Sequence, residues 1–231
     1  MKVIGLIGGM SWESSAQYYR IINQQARARL GGAHSAKSLM WSMDFGEIER
    51  LQHEGRWADL AALMVQAAQN LERGGADFIV ICTNTMHRMA DEIAAQVRIP
   101  LLHIADPTGE KIRAAGLTRV GLLGTAFTME QDFYKGRLAK KFGFEVLTPD
   151  EADRQTVHQI IYRELVAGEV KNESREQYRA VIERLVQRGA QAIILGCTEI
   201  MLLISQADSA VPIFDTTELH ALAAVELALA E

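Results

Sequence analysis

The sequence is poor in the features that mark several large protein classes. It has two cysteines among 231 residues, Cys82 and Cys197, and both are expected to be reduced thiols. No Cys/His spacing suggests a structural zinc site. His34, His53, His87, His103, His158 and His220 form no ligand-spaced pair, so no metal is expected. No stretch approaches the ~20 apolar residues of a membrane span, which predicts no membrane partner. Basic runs are missing as well. Lys plus Arg is 24 and Asp plus Glu is 29, a net charge of 24 − 29 = −5. That balance argues against nucleic acid or an anionic membrane surface. The apolar opening, Met1 to Ile7, is short and is broken by Gly8-Gly9. It does not read as a signal peptide, and a cytoplasmic protein is expected. Neither a Walker motif nor a full G-x-G-x-x-G is found, so Gly8-Gly9 reads as a tight strand-to-helix turn rather than a dinucleotide site.

What is present suits a soluble protein with a substantial core: 48% of residues are hydrophobic and 23% charged. The most informative feature is an internal repeat. Val3-Ile4-Gly5-Leu6-Ile7-Gly8 returns as Arg119-Val120-Gly121-Leu122-Leu123-Gly124, followed by Thr125. The run from Gly75 to Thr85 returns from Gly189 to Glu199, and Ile99-Pro100-Leu101 returns as Val211-Pro212-Ile213. The offsets are 116 (Gly5 to Gly121), 114 (Gly75 to Gly189) and 112 (Pro100 to Pro212).

Each copy alternates strand and helix. The uniformly apolar runs Phe78–Ile81 and Ala192–Leu195 fit parallel strands covered on both faces. Ala58–Leu71 and Tyr178–Gln187 carry apolar residues at helical spacing. The expected class is α/β, with two pseudo-symmetric, doubly wound parallel-sheet lobes. The expected division is an N-terminal lobe over 1–115, joined by a returning last helix over 216–231, and a C-terminal lobe over 116–215. Ligands of such sheets bind beyond the carboxyl ends of the strands, so two facing lobes would share one active site.

The strand-end loops hold the chemistry. They are Gly8–Ser15, Cys82–His87, Gly124–Thr128 and Gly196–Glu199. Small residues and backbone N–H groups at helix starts suit a carboxylate. Cys197 stands where a turn should open a helix, and a helix N-terminus lowers a thiol pKa. A drop from ~8.5 to ~7 would raise the thiolate fraction at pH 7 from about 3% to about half. The repeat register pairs Cys197 with Thr83, and Gly196 with Cys82. Side chains alternate along a strand, so Thr83 is expected at the site and Cys82 in the core. A bulge at the strand end would reverse that choice. His87 reads equally as a supporting group or as a satisfied helix-start histidine.

At these residues the sequence resembles the aspartate/glutamate racemase family, which works without pyridoxal phosphate. The resemblance rests on Gly8-Gly9-Met10, Asn84-Thr85-Met86-His87, Gly124-Thr125 with Thr128, and Gly196-Cys197-Thr198-Glu199. Met10-Ser11-Trp12-Glu13-Ser14 is most similar to the broad-specificity amino-acid racemases within it. The resemblance implies a two-lobed homodimeric isomerase with an acid/base pair, no cofactor and an amino-acid substrate. It implies Thr83 and Cys197 as the pair, with Met10, Ser11, Asn84, Thr85, Thr125 and Thr198 holding the substrate. Glu199 and His87 would support them. Arg50 and Gln52, read as following the third strand, are candidates for reading the substrate side chain. There are two departures. The usual C-N-T-x-H motif begins here with Thr83, and a lysine that acid-specific members often carry is here Val166. Two other functions fit the same scaffold: decarboxylation or isomerisation of a small diacid by a nucleophilic cysteine, and ligand sensing without turnover.

Overall fold

The structure, a computed structural model, describes residues 1–230. The chain forms two compact units. The first comprises Met1–Ile104 and the stretch from His220 onward, and the second comprises Ala105–Leu219.

In the first unit the elements run β1 (Ile4–Gly8), α1 (Trp12–Leu30), β2 (Ser38–Ser42), α2 (Phe45–His53), α3 (Trp57–Arg73), β3 (Phe78–Ile81), α4 (Ala90–Ala94) and β4 (Leu101–Leu102). The sheet order is β2-β1-β3-β4 and every pairing is parallel. The four residues of β3 are all buried, as a strand covered on both faces must be. Phe78 and Val80 pack with Ile4, Leu6, Tyr18 and Ile22 on the α1 side. Ile79 and Ile81 pack with Leu60, Met64 and Leu71 on the α3 side.

The second unit runs α5 (Ala105–Ala114), β5 (Arg119–Gly124), α6 (Ala126–Glu130), α7 (Asp132–Phe142), β6 (Glu145–Leu147), α8 (Glu151–Arg163), α9 (Asn172–Gln187), β7 (Ala192–Gly196), β8 (Ile213–Asp215) and the start of α10 (Thr216–Leu229). Its sheet order is β6-β5-β7-β8, again all parallel. Ile193 and Leu195 pack against Val157, Ile161, Val181, Ile182 and Leu185 of α8 and α9. The two units thus repeat one topology, as the sequence offsets predict, and the α/β class is as expected.

Helix α10 returns the chain to the first unit. Ala221, Ala224, Val225 and Ala228 complete the apolar cluster of Ile4, Leu6, Tyr18 and Val80. In each sheet the strand order reverses direction between the two central strands, β1 and β3 or β5 and β7. The loops that leave the carboxyl ends of those strands are where ligands of such sheets bind.

Candidate active site

In the first unit, the loop after β1 is held by its own serines. Ser11 caps α1, accepting from the Ser14 N–H at 3.4 Å. Ser15 Oγ accepts from the Gly9 N–H at 2.8 Å and donates to the Ser11 carbonyl at 3.0 Å. Gly9 has φ +84°, and a Cβ there would overlap the Met43 backbone, so the turn requires glycine. Ser14 Oγ donates to the Cys82 carbonyl at 3.2 Å, which joins this loop to the one after β3. Met10 is buried in the cluster of Ile7, Ile48 and Met86.

The loop after β3 passes through Cys82, Thr83 and Asn84 into a 3₁₀ turn, Thr85–Met89. Cys82 is fully buried on the parity of Phe78 and Val80, among Tyr18, Ile22 and Ala221. Burial pushes its thiol far above the ordinary range. Thr83 lies on the opposite parity, that of Ile79 and Ile81, and is half-buried. Asn84 and Thr85 are buried beside it. His87 binds the loop from within: its Nδ1 donates to the Thr83 carbonyl at 2.8 Å.

Gln52 and Arg50 part company. Both lie on α2, which follows the second strand rather than the third. Gln52 is buried and its Nε2 donates to Met86 Sδ at 3.2 Å, which brings it to the Thr83 loop. Arg50 faces solvent and pairs with Glu54 at 2.9 Å, four residues along the helix. The structure does not bring Arg50 to this loop.

In the second unit, Thr125 caps α6 and accepts from the Thr128 N–H at 3.3 Å. Gly124 pairs with Gly196 across the sheet, and a Cβ on Gly124 would sit 2.6 Å from the Gly196 carbonyl oxygen. Cys197 follows on the parity of Ile193 and Leu195 and belongs to their cluster, 8% exposed. Cys197 and Thr83 therefore stand in equivalent strand-end loops, each two residues beyond the strand residue Leu195 or Ile81.

The electrostatics of Cys197 differ from the expectation. No α-helix begins there; a three-residue 3₁₀ turn, Ile200–Leu202, follows. Instead Cys197 Sγ donates to Glu199 Oε2 at 3.0 Å, and Thr198 Oγ1 donates to the same oxygen at 2.9 Å. Burial raises the thiol pKa well above its ordinary value, and the charge of Glu199 and its acceptance of the S–H raise it further. The N–H groups of Glu199 and Thr198 pull the other way and do not prevail. The resting sulfur is a thiol held by a buried carboxylate, not the free thiolate that a helix start would give.

The sequence reading missed a further grouping. His103 and His220 gather around His87, with ring centroids 4.6 Å and 5.7 Å from it. Spacing could not show this, since the three residues come from separate segments of the chain. Among the described residues, no group of three or more His, Cys, Asp or Glu side chains could hold a metal ion. No helix among them is long and apolar enough to cross a membrane.

Comparison with known proteins gives a consistent answer. The Asp/Glu/Hydantoin racemase family profile matches residues 7–224. A Yersinia pestis protein of known structure, assigned to the Asp/Glu racemases, is 55% identical, with full coverage of both chains and a TM-score of 0.92. The structure of an aspartate racemase homologue from Pyrococcus horikoshii is 34% identical over 99% of both chains, with a TM-score of 0.84. The broad specificity amino-acid racemase RacX of Bacillus subtilis is 28% identical over 74% of each chain. The chain belongs to the Asp/Glu/Hydantoin racemase family and is an isomerase of the racemase type.

Proposed function

We propose that the enzyme interconverts L- and D-amino acids by moving the Cα proton between Cys197 on one face and Thr83 on the other, with no cofactor. The observation that carries this reading is the equivalent place of the two residues, each two positions beyond Ile81 or Leu195 in the loop after a central strand, with a thiol in one and a hydroxyl in the other.

Each residue has a defined part. For Cys197 to act as base, its S–H proton passes to the Glu199 carboxylate along the 3.0 Å hydrogen bond. The sulfur then takes the Cα proton. The planar intermediate carries charge on its carboxylate oxygens, stabilised by backbone N–H groups around Met10 and Ser11, by Asn84 and Thr85, and by Thr125 and Thr198. Thr83 returns a proton to the opposite face; the proton left on Glu199 passes to solvent and one from solvent restores the Thr83 hydroxyl, so both groups return to their starting states. In the reverse sense the protonated Cys197 is already the acid. Thr83 is the weaker partner as a base: an alcohol resembles water and is a far weaker acid than a thiol, whose ordinary pKa is ~8.5, a gap of roughly 10 kcal/mol. The two directions therefore differ in kcat. They share one kcat/KM, because enantiomers in water have equal free energy.

Substrate choice follows from the side chains near the loops. Val166 brings no cation to the second unit, where it packs beside the Cys197 cluster. Gln52, an uncharged amide that contacts Met86, is the candidate in the first unit for reading a side chain. This favours acceptance of neutral polar amino acids such as homoserine alongside aspartate and glutamate. The reading also includes a cytoplasmic homodimer. Exposed Trp12, Tyr19 and Met40 line one groove of the first unit, the type of surface that a second copy covers. Light scattering at micromolar concentration tests the dimer.

The test of activity is Cα proton exchange in heavy water across L- and D-amino acids, including aspartate, glutamate and homoserine. Exchange is expected for wild type and absent from Cys197→Ser. Long incubation of either enantiomer should end as a racemate; a stable excess of one would refute the mechanism.

A further inference from the structure

His87 sits four residues after Thr83, inside the 3₁₀ turn, and is buried. Its two ring nitrogens have opposite duties. The Thr83 carbonyl, 2.8 Å from Nδ1, can only accept, so Nδ1 carries the proton. The Ile104 N–H, 3.1 Å from Nε2, can only donate, so Nε2 carries none. The ring is thereby neutral and fixed in one tautomer. A histidine so engaged at both nitrogens has no free site at which to exchange protons with a substrate.

The second partner marks a particular place. Ile104 is the residue at which the chain leaves the first unit, and His220 is the residue at which it returns. His220 holds the same segment from the other side: its Nε2 donates to the Leu102 carbonyl at 2.9 Å, and Tyr18 Oη lies 2.8 Å from its Nδ1. Residues 102–104 are therefore gripped by two imidazoles, and one of them also grips the loop of Thr83.

We propose that His87 is a positioning residue of the racemase: as a neutral imidazole protonated on Nδ1, it braces the Thr83 carbonyl against the Ile104 amide and so sets where the Thr83 hydroxyl stands. This rests on Thr83 being the second proton-transfer group. Its length and tautomer select histidine. Asparagine reaches only the Nδ1 position and can keep the bond to Thr83. Glutamine reaches the Nε2 position and can keep only the bond to Ile104.

The experiment compares His87→Asn, His87→Gln and Thr83→Ala with wild type. It uses the amino acid of the exchange panel that turns over fastest. kcat and KM are measured in both directions, with the melting temperature and the imidazole ¹⁵N spectrum. His87→Asn is expected to keep kcat within about threefold. His87→Gln is expected to lose at least about tenfold in kcat with KM within about threefold, whichever of the two melts higher. Wild-type His87 should show a protonated Nδ1 and a bare Nε2. Equal kcat in the two variants, losses that merely track melting temperature, or a protonated Nε2 overturns the proposal. Full activity of Thr83→Ala instead overturns the catalytic reading on which it rests, and the ¹⁵N spectrum separates the two failures.

Discussion

Cys197 gives its S–H to Glu199 at 3.0 Å, and the carboxylate that receives it is itself buried and shared with the Thr198 hydroxyl. The thiol is thus kept protonated by the group that, in the proposed mechanism, accepts its proton. Glu199→Gln removes the negative charge that raises the Cys197 pKa, so the pH midpoint for alkylation by iodoacetamide should move down. Racemisation should fall by roughly 10²- to 10⁴-fold, the usual worth of a proton-transfer group. An alkylation midpoint unchanged from wild type would show that Glu199 does not control the sulfur.

The two residues at the end of β3 should separate cleanly. Thr83→Ala is expected to lower kcat by about 10²-fold or more in the direction that takes a proton from residue 83. Cys82→Ala, which trims a packed core side chain, should leave kcat within about threefold and cost roughly 1–2 kcal/mol of stability. Loss of racemisation in the cysteine variant with retention in the threonine variant would mean that the strand end bulges.

Alkaline pH should weaken the fold. Cys82, Cys197, Tyr134 and Tyr178 all have pKa values raised above their ordinary ones, with burial as the largest cause. A raised pKa means that the native state holds a proton that the unfolded chain has released, so stability declines as pH climbs past the unfolded values. The stabilisation is complete below about pH 8 and is progressively lost above about pH 9. Thermal melts from pH 8 to pH 10.5 should show the decline, and Cys82→Ala should flatten it. A melting temperature that rises over this range would contradict the buried-thiol assignment.

Specificity should follow Gln52 and not Arg50. Gln52→Ala removes the amide at Met86 and is expected to change KM between homoserine and glutamate by fivefold or more, on the order of 1 kcal/mol. Arg50→Ala breaks only an exposed pair with Glu54, worth well under about 1 kcal/mol, and should shift KM less than twofold. The reverse ranking in a steady-state comparison would place Arg50 at the substrate.

Much of this was legible in the sequence, for identifiable reasons. Phe78–Ile81 was readable to the residue because a strand buried on both faces needs no alternation to be seen. The 114-residue offset aligned Phe78–Ile81 with Ala192–Leu195, because both are central strands buried on both faces. The strands β2 and β6 went unseen: Ser38–Ser42 is partly exposed at a sheet edge, and Glu145–Leu147 is three residues long. The start of α1 lies at Trp12, inside the span Gly8–Ser15 that reads as a loop, because Ser11 supplies the cap. The state of Cys197 was misread because a strand end followed by Thr-Glu looks like a helix start, while the deciding contact comes from a side chain two residues on that folds back. Arg50 and Gln52 look alike in sequence and part because successive even positions on a helix face different ways.

Helix α10 has a consequence for biosynthesis. The cluster of Ile4, Leu6, Tyr18 and Val80 is closed by Ala221, Ala224, Val225 and Ala228, which are translated after every strand of both sheets. A nascent chain leaving the ribosome can bury everything that residues 105–219 require while the amino-terminal sheet still awaits its cover. Of the two sheets, the one whose strands are made earlier is therefore covered later.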